Sequence, residues 1–322
     1  FFCKRKMKIV YITGCLGFMA SYLTRRCLKE GWMVYGIDKM TYAANTSLLE
    51  EFNQYQNFKF QNIDIKDVDR LYDCDYVINF AAESHVGNSI VKSDEFIDSN
   101  IVGVKNLLDL IRFKQSNCNE LPVFLHISTD EVYGDINSGS HTENDLLKPS
   151  NPYSAAKAAG DMLINAWART YGIDYIILRP TNNYGIGQYP EKLIPLSIKN
   201  LVRGKKIRLH NNGTPSRNWL HADDTANAVL TIIDSGVRNE IYNIAGGFEQ
   251  KNIDTVSKII KCFYGVSVDV NDYIDFSYSR DGQDVRYALD DSKLRSLGWN
   301  PKKKFNEEIP KIVKYYKNKF IW

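Results

Sequence analysis

No two of the six cysteines stand at C-x-x-C spacing. Cys3, Cys15, Cys27, Cys74, Cys118 and Cys262 are scattered along the chain. That argues against zinc and against a disulfide framework, and free thiols in a reducing cytoplasm are the expectation. A one-sided charge is also lacking. Lys and Arg number 41 against 38 Asp and Glu, a net +3, so nothing points to nucleic acid or an anionic membrane surface. No apolar run is long enough to span a bilayer, and the start carries no signal-peptide pattern. Internal repeats and low-complexity tracts are absent. Phe1–Lys6 precede Met7, as a native extension or as residues foreign to the natural chain, and are set apart from the fold. The remaining length, out of 322 residues, suffices for one large domain or two joined ones.

Short β-rich runs alternate with helical segments. Met7–Thr13 reads as a strand, Gly17–Glu30 as a helix and Met33–Ile37 as a second strand ending at Asp38. Phe58–Ile63, Tyr76–Ala81, Val123–Ser128 and Tyr175–Arg179 read as further strands. Ser93–Phe113 and Tyr153–Tyr171 are predicted helices between them. Near-continuous apolar strands with helical crossovers imply a parallel sheet covered on both faces. The fold class expected is therefore α/β, a doubly wound Rossmann-type sheet. After Pro180 glycine, proline and asparagine become frequent. A helix is expected over Glu191–Arg203, another over Asp223–Ser235 and a strand over Glu240–Ile244. The predicted division is a dinucleotide-binding domain over 7–180, with 219–247 returning to it, and a smaller C-terminal lobe within 181–322.

Gly14-Cys15-Leu16-Gly17-Phe18-Met19-Ala20 falls between the first strand and the first helix, with G-x-x-G-x-x-A spacing. Glycines let a backbone approach a pyrophosphate, whose charge a helix N-terminus favours. Ala20 in place of a third glycine is small enough for close packing of helix on strand. Asp38 at the end of the second strand can accept from ribose hydroxyls and would repel a 2′-phosphate, which favours NAD over NADP. Lys39 beside it weakens that discrimination. Asp64-Ile65 follow the third strand, either beside an adenine or as a helix cap.

Ser128-Thr129-Asp130-Glu131 places two hydroxyls and two carboxylates at the end of an apolar strand, where ligands of parallel sheets sit. Solvated carboxylates at a strand end are the plainer alternative. Tyr153 and Lys157 lie one helical turn apart on one face, and a lysine ammonium beside a phenol lowers its pKa. Ordinary helices also carry Tyr-x-x-x-Lys. With the fingerprint present, the tyrosine and lysine point to hydride chemistry on a sugar alcohol. The carboxylates point to a following elimination of water.

These motifs resemble the extended short-chain dehydrogenases/reductases, and within them the nucleotide-sugar 4,6-dehydratases. The resemblance runs through Asp38–Asn45, Ala81–Val86, Ser128–Gly134, Asn151–Lys157, Asn182–Gly185 and Pro190–Pro195. Thr129-Asp130-Glu131 is its most specific element, since sugar epimerases share the fingerprint and Tyr-x-x-x-Lys but not the acid pair. The resemblance implies that Tyr153, supported by Lys157, takes the C4-hydroxyl proton while hydride leaves for NAD⁺. Thr129 then bonds the C4 oxygen, Glu131 removes the C5 proton and Asp130 protonates the departing C6 hydroxyl. Hydride returns to C6, and the product is a 4-keto-6-deoxy sugar. NAD is implied to contact Gly14, Leu16, Gly17, Phe18, Met19, Asp38, Lys39, Thr41, Asp64, Ile65, Phe80, Ala81, Ala82, Ser99 and Asn183, besides Tyr153 and Lys157.

A nucleotide-diphosphate sugar is the implied substrate. Ser84, Thr129, Asn182, Lys192 and Leu193 are implied toward the sugar and diphosphate. Arg208 and His210 match contacts to base and ribose, Arg217 and Arg280 match diphosphate-binding arginines, and Asn252 matches a further contact of that kind. The family usually follows its Glu-Ser-His-Val with Asp, then Arg in bacterial dTDP-glucose enzymes and Asn in plant UDP-glucose enzymes. Gly87-Asn88 stand there instead. Asn88 leans toward UDP-glucose, and Gly87 either makes room for the acetamido group of UDP-N-acetylglucosamine or is a simple loop change. Gln283 and Asn218 are further departures. The resemblance also implies a homodimer through Ser93–Phe113 and Tyr153–Tyr171. The rival functions are a 4-epimerase and a non-catalytic NAD-binding sensor.

Overall fold

A computed structural model describes residues 7–114, 121–278 and 284–319. In chain order they begin with β1 (Ile9–Thr13), α1 (Phe18–Lys29), β2 (Met33–Asp38), α2 (Ser47–Phe52), β3 (Phe58–Asn62), β4 (Tyr76–Asn79), α3 (Val86–Val91), α4 (Asp94–Ile97), α5 (Gly103–Lys114), β5 (Val123–Ile127), α6 (Pro152–Tyr171) and β6 (Tyr175–Pro180). They continue with β7 (Asn182–Tyr184), α7 (Leu193–Val202), β8 (Ile207–His210), β9 (Ser216–His221), α8 (Ala222–Ser235), β10 (Glu240–Ile244), β11 (Glu249–Lys251), α9 (Asn252–Tyr264), β12 (Ile274–Tyr278), α10 (Ser292–Arg295) and α11 (Phe305–Asn318).

Seven strands form one sheet in the order β10-β6-β5-β4-β1-β2-β3. Every pairing in it is parallel. The sheet is the doubly wound Rossmann type expected from the alternating pattern. Strand order reverses between β1 and β4, and the crevice beyond the carboxyl ends of these strands is where such sheets take ligands. One face packs α1 and α8 through Leu23, Ala226 and Val229. The other packs α5 and α6 through Leu107, Ile111 and Ile164. Apolar side chains thus line both sheet faces, which is why its central strands lack alternation. Residues 219–247 supply α8 and the edge strand β10.

The smaller lobe has its own core. Ile198, Trp219, Val256, Ile260 and Ile312 bring α7, β9, α9 and α11 together. The chain switches from sheet to lobe directly after β6, so the mouth of the crevice lies between the two.

The single helix anticipated over Ser93–Phe113 is broken into α4, a π-helical stretch over Asp98–Val102, and α5. Its wide turn brings Ser99 to the crevice and Asn100 against the backbone of Glu83. Asn100 is bonded to both the N–H and the carbonyl of Glu83, at 3.1 and 3.0 Å. Ser99 accepts from Lys39 at 3.0 Å. Such bulges commonly accompany functional sites.

Candidate active site

The dinucleotide loop is built around a glycine that nothing else replaces. Gly14 has φ +66°, and a Cβ on it would lie 2.9 Å from the Ala81 nitrogen. The β1–α1 loop can therefore press against the end of β4. Gly17 caps α1, and the first turn of α1 carries no acidic residue. Asp38 is held by two backbone donors, the N–H groups of Leu16 (3.0 Å) and Met40 (2.7 Å). This cradle fits a dinucleotide: backbone approach at Gly14, a helix N-terminus free of acid, and a fixed carboxylate one strand over.

Phe18, Met19, Lys39, Thr41, Asp64, Ile65, Phe80, Ala81, Ala82, Ser99 and Asn183 all line the same cavity. Leu16 does not. Its side chain is fully buried in the α1 core and its N–H is spent on Asp38. Asp64 caps no helix; it accepts from the Lys66 N–H at 3.2 Å in a turn and faces the cavity. Lys39 is drawn away from Asp38 toward Asp64 (3.4 Å) and Glu83 (3.5 Å). Its charge is thereby shared between two carboxylates beside the cavity. Glu83 lines the cavity and was missed as a site residue, although it lies inside the Ala81–Val86 motif.

The chemistry sits where β5 ends. Thr129 is extended and opens a 3-10 turn over Asp130–Tyr133. Its Oγ1 accepts from the Glu131 N–H at 3.3 Å and donates to Asp130 Oδ1 at 3.2 Å. Gly134 ends the turn at φ +80°, with the Lys148 carbonyl in the space a Cβ would take. Opposite, α6 starts with Pro152 behind a capping box of Asn151 and Ser154. Asn151 also donates from Nδ2 to Glu131 Oε2 at 3.4 Å. One residue thus ties the start of the Tyr153–Lys157 helix to the second carboxylate. Ser84, Thr129, Asp130, Glu131, Tyr153, Lys157, Asn182 and Lys192 share this end of the cavity.

The two carboxylates are separated by their surroundings. Burial, then the charge of Glu131, raises Asp130 to about 7. Burial also raises Glu131, but Arg217, Lys192 and the Asn151 amide pull it back. Burial favours the neutral form of both; the charge of Glu131 adds to this at Asp130, whereas at Glu131 two cations and an amide oppose it.

The expected lowering of the Tyr153 phenol by Lys157 is not what the structure gives. Burial and the charges of Glu131 and Asp130 push the phenol well above its ordinary value, and only a hydrogen bond with Thr129 opposes them. Lys157 is turned to the sheet, donating to the Ile127 carbonyl at 2.6 Å beside His126 Nε2 at 3.2 Å. Burial lowers its own pKa to about 8, against the opposing charge of Asp161.

The remaining predicted residues lie toward the lobe. Leu193 opens α7 directly after Lys192, which donates to the Ser84 carbonyl at 2.7 Å. Arg217, on β9, donates to the Asp284 carbonyl at 3.1 Å and stacks over Tyr287. Arg208 and His210 are on β8, and Asn252 opens α9. None of these five lines the cavity around the catalytic end, although the charge of Arg217 acts on both carboxylates. Arg280 and Gln283 lie outside the described residues. Among the described residues no cluster of metal ligands occurs, and no helix is long and apolar enough to cross a membrane.

A buried carboxyl with a raised pKa costs stability once ionised. Asp130 binds its proton more tightly folded than unfolded, so its stabilising effect is complete below the unfolded value and is lost as pH rises through about 7. The loss amounts to about 4 kcal/mol at most. Asp130→Asn should therefore melt above the parent protein at pH values above 7, with the gap closing toward acid pH. Calorimetric melts across that range check this. A gap that widens toward acid pH contradicts it.

A doubly wound sheet with a glycine loop after β1, and Tyr-x-x-x-Lys facing the end of β5, defines a short-chain dehydrogenase/reductase of the extended type. The family model described as GDP-mannose 4,6 dehydratase matches residues 11–312. A dTDP-glucose 4,6-dehydratase of Neisseria meningitidis is 40% identical over 98% of this chain and 95% of its own. One from Escherichia coli is also 40% identical, over 98% and 94%. Among solved structures, the dTDP-glucose 4,6-dehydratase of Streptomyces venezuelae, determined with NAD bound, superposes with a TM-score of 0.90. It is 35% identical, with 96% of this chain and 97% of that one covered. A UDP-glucuronic acid 4-epimerase from Bacillus cereus reaches 0.88 at 26% identity, covering 96% and 99%. The chain belongs to the nucleotide-sugar 4,6-dehydratases, which are hydro-lyases of the extended short-chain dehydrogenase/reductase class.

Proposed function

We propose that the protein converts a nucleoside-diphosphate glucose, with uracil or thymine as its base, to the 4-keto-6-deoxy sugar. The observation that carries this reading is the buried Asp130–Glu131 pair just past β5, lining the same end of the cavity as Tyr153. NAD, held by the loop of Gly14 and Gly17 and by Asp38, supplies the hydride acceptor for C4 and the hydride donor for C6. Tyr153 takes the C4-hydroxyl proton, with Thr129 bonding the same oxygen. The 4-ketone acidifies C5. Glu131, facing the charges of Arg217 and Lys192, removes the C5 proton, and Asp130 delivers its own to the departing C6 hydroxyl. Glu131 then returns a proton to C5. A 4-epimerase has no step for this pair.

The acetamido reading of Gly87 draws no support from its position. Gly87 stands in the first turn of α3, outside the cavity lining, and a Cβ there would meet the His85 ring at 3.0 Å. A C2 hydroxyl is the substrate feature proposed. Asn88 donates to the Tyr42 hydroxyl at 3.3 Å, and Tyr42 donates to Oε2 of the cavity residue Glu191 at 3.0 Å. The relatives' names speak for thymine and Asn88 for uracil. The protein, without added NAD, is therefore incubated separately with UDP-glucose, dTDP-glucose and UDP-N-acetylglucosamine. Loss of one water from a glucose nucleotide, read by mass, is expected. A product of unchanged mass would establish epimerisation instead.

The protein is further proposed to be a homodimer. Ile90 and Val91 of α3, Ile97 of α4, Val102 of the π-helical stretch and Met162 of α6 are exposed, and covering exposed apolar surface of this kind is favourable. Light scattering should give twice the chain mass, and Met162→Glu should shift it to the monomer. A monomeric parent protein sinks the proposal.

A further inference from the structure

Behind the catalytic lysine lies a row of buried polar side chains that the dehydration chemistry leaves unused. Thr13, Asn79 and His126 are register partners across β1, β4 and β5. They therefore project from the same face of the sheet, toward α6. Thr13 and Asn79 are fully buried, His126 is 1% exposed and Lys157 2%. Gly160, one turn beyond Lys157, permits the approach of the helix: a Cβ on it would lie 3.0 Å from the Asn100 carbonyl and 3.6 Å from His126 Nε2.

The contacts are continuous. Thr13 Oγ1 accepts from the Ala81 N–H at 3.2 Å and donates to Asn79 Oδ1 at 2.5 Å. Asn79 Nδ2 lies 3.0 Å from His126 Nδ1, and His126 Nε2 lies 3.2 Å from Lys157 Nζ. Burial and the neighbouring lysine keep the imidazole far below its ordinary pKa, so it carries one proton only.

One proton on the ring leaves two self-consistent arrangements. In the first, the Asn79 NH₂ donates to Nδ1, the ring proton sits on Nε2, and Lys157 receives it as an uncharged amine. In the second, a Lys157 ammonium donates to Nε2 and the ring proton sits on Nδ1. The Asn79 amide is then turned over, its oxygen toward the ring and its NH₂ toward Thr13. A change of charge on Lys157 thus inverts the three side-chain bonds that run from Thr13 to Lys157, while the Ala81 N–H still donates to Thr13.

We infer that His126 is a positioning residue for Lys157, its tautomer switching with the charge of the lysine and transmitting that charge through Asn79 to Thr13 at the dinucleotide loop. The inference rests on the reading of Lys157 as an active-site lysine. Thr13 meets the Ala81 N–H, and Ala81 lines the cofactor cavity. Coupling of this kind is reciprocal, so the hydrogen bonding of Thr13 also biases the charge of Lys157. The other charge bearing on Lys157 is Asp161 of α6, itself paired with Arg179 of β6 at 3.0 Å, while Tyr153, Asp130 and Glu131 line the same cavity.

The test is imidazole nitrogen NMR on the full chain, whose five histidines make assignment practical. Across about pH 6 to 10, His126 should stay neutral while its proton moves from Nδ1 to Nε2 as Lys157 loses its charge. The inversion should vanish in Lys157→Met, and its midpoint should move in Thr13→Val. A ring that keeps one tautomer throughout, or that becomes an imidazolium, overturns the inference; an unmoved midpoint in Thr13→Val overturns the link to the loop. His126→Phe preserves the ring that stacks on Phe124. It should keep KM within about twofold, lower kcat roughly tenfold and displace the pH limb of kcat that reports Lys157. An unchanged kcat and pH profile would count against a positioning role. Full activity of Lys157→Met would defeat the active-site reading alone, because the tautomer inversion in the parent protein stands apart from turnover.

Discussion

Glu131→Gln should abolish dehydration and leave the first oxidation standing. The side chain keeps its size and its place after the Thr129 turn, and it can still meet the Asn151 amide. It cannot take a proton from C5. Loss of a positioned general base costs roughly 10²- to 10⁴-fold, so kcat for the 4-keto-6-deoxy product should fall by about that factor. Oxidation at C4 uses Tyr153, not Glu131. The variant should therefore accumulate reduced cofactor with substrate bound, seen in its near-ultraviolet absorbance and fluorescence. Removal of the negative charge should also relax the elevated Tyr153 phenol, since Glu131 follows burial among the causes of its shift. Dehydration at the parent rate would refute the assignment of Glu131 as the C5 base.

Tyr153→Phe should stop the reaction a step earlier. No reduced cofactor should appear, and kcat should fall by a similar roughly 10²- to 10⁴-fold. Binding of the nucleotide sugar should change little, because the ring remains packed edge-on against Phe96. The pair of variants is more informative than either alone: one stalls before hydride transfer, the other after it. Appearance of reduced cofactor in Tyr153→Phe at the parent rate would move the first proton acceptor to another group. A burst of reduced cofactor in neither variant would place Glu131 in the first step as well.

Much of the site is legible in the chain because its parts are local. The Gly14–Ala20 turn, the acid pair shortly past the end of a strand and the Asn151–Lys157 helix start each lie within a few residues. Their roles follow from spacing and from the place where a parallel strand ends. Other features were hidden for a physical reason. Glu83 looks like one more charge in a motif until the π-turn brings Asn100 onto its backbone. His126 sits inside an apolar strand, where a lone histidine suggests only core packing. The substrate-lobe residues Arg208, His210 and Asn252 are distant in sequence, and their relation to the cavity depends on lobe packing.

By itself the sequence determined the alternation of strands and helices, the glycine turn and the identity of the reacting groups. Those depend on hydrophobic periodicity, backbone freedom and side-chain chemistry, all local properties. Tertiary structure decided what each group feels. Arg217, from beyond β6, acts on both carboxylates, and Lys192 acts on Glu131. The register of β1, β4 and β5 places Thr13, Asn79 and His126 in one line to Lys157. Proton affinity depends on burial and on charges brought together across long stretches of chain, and no spacing along the sequence encodes them.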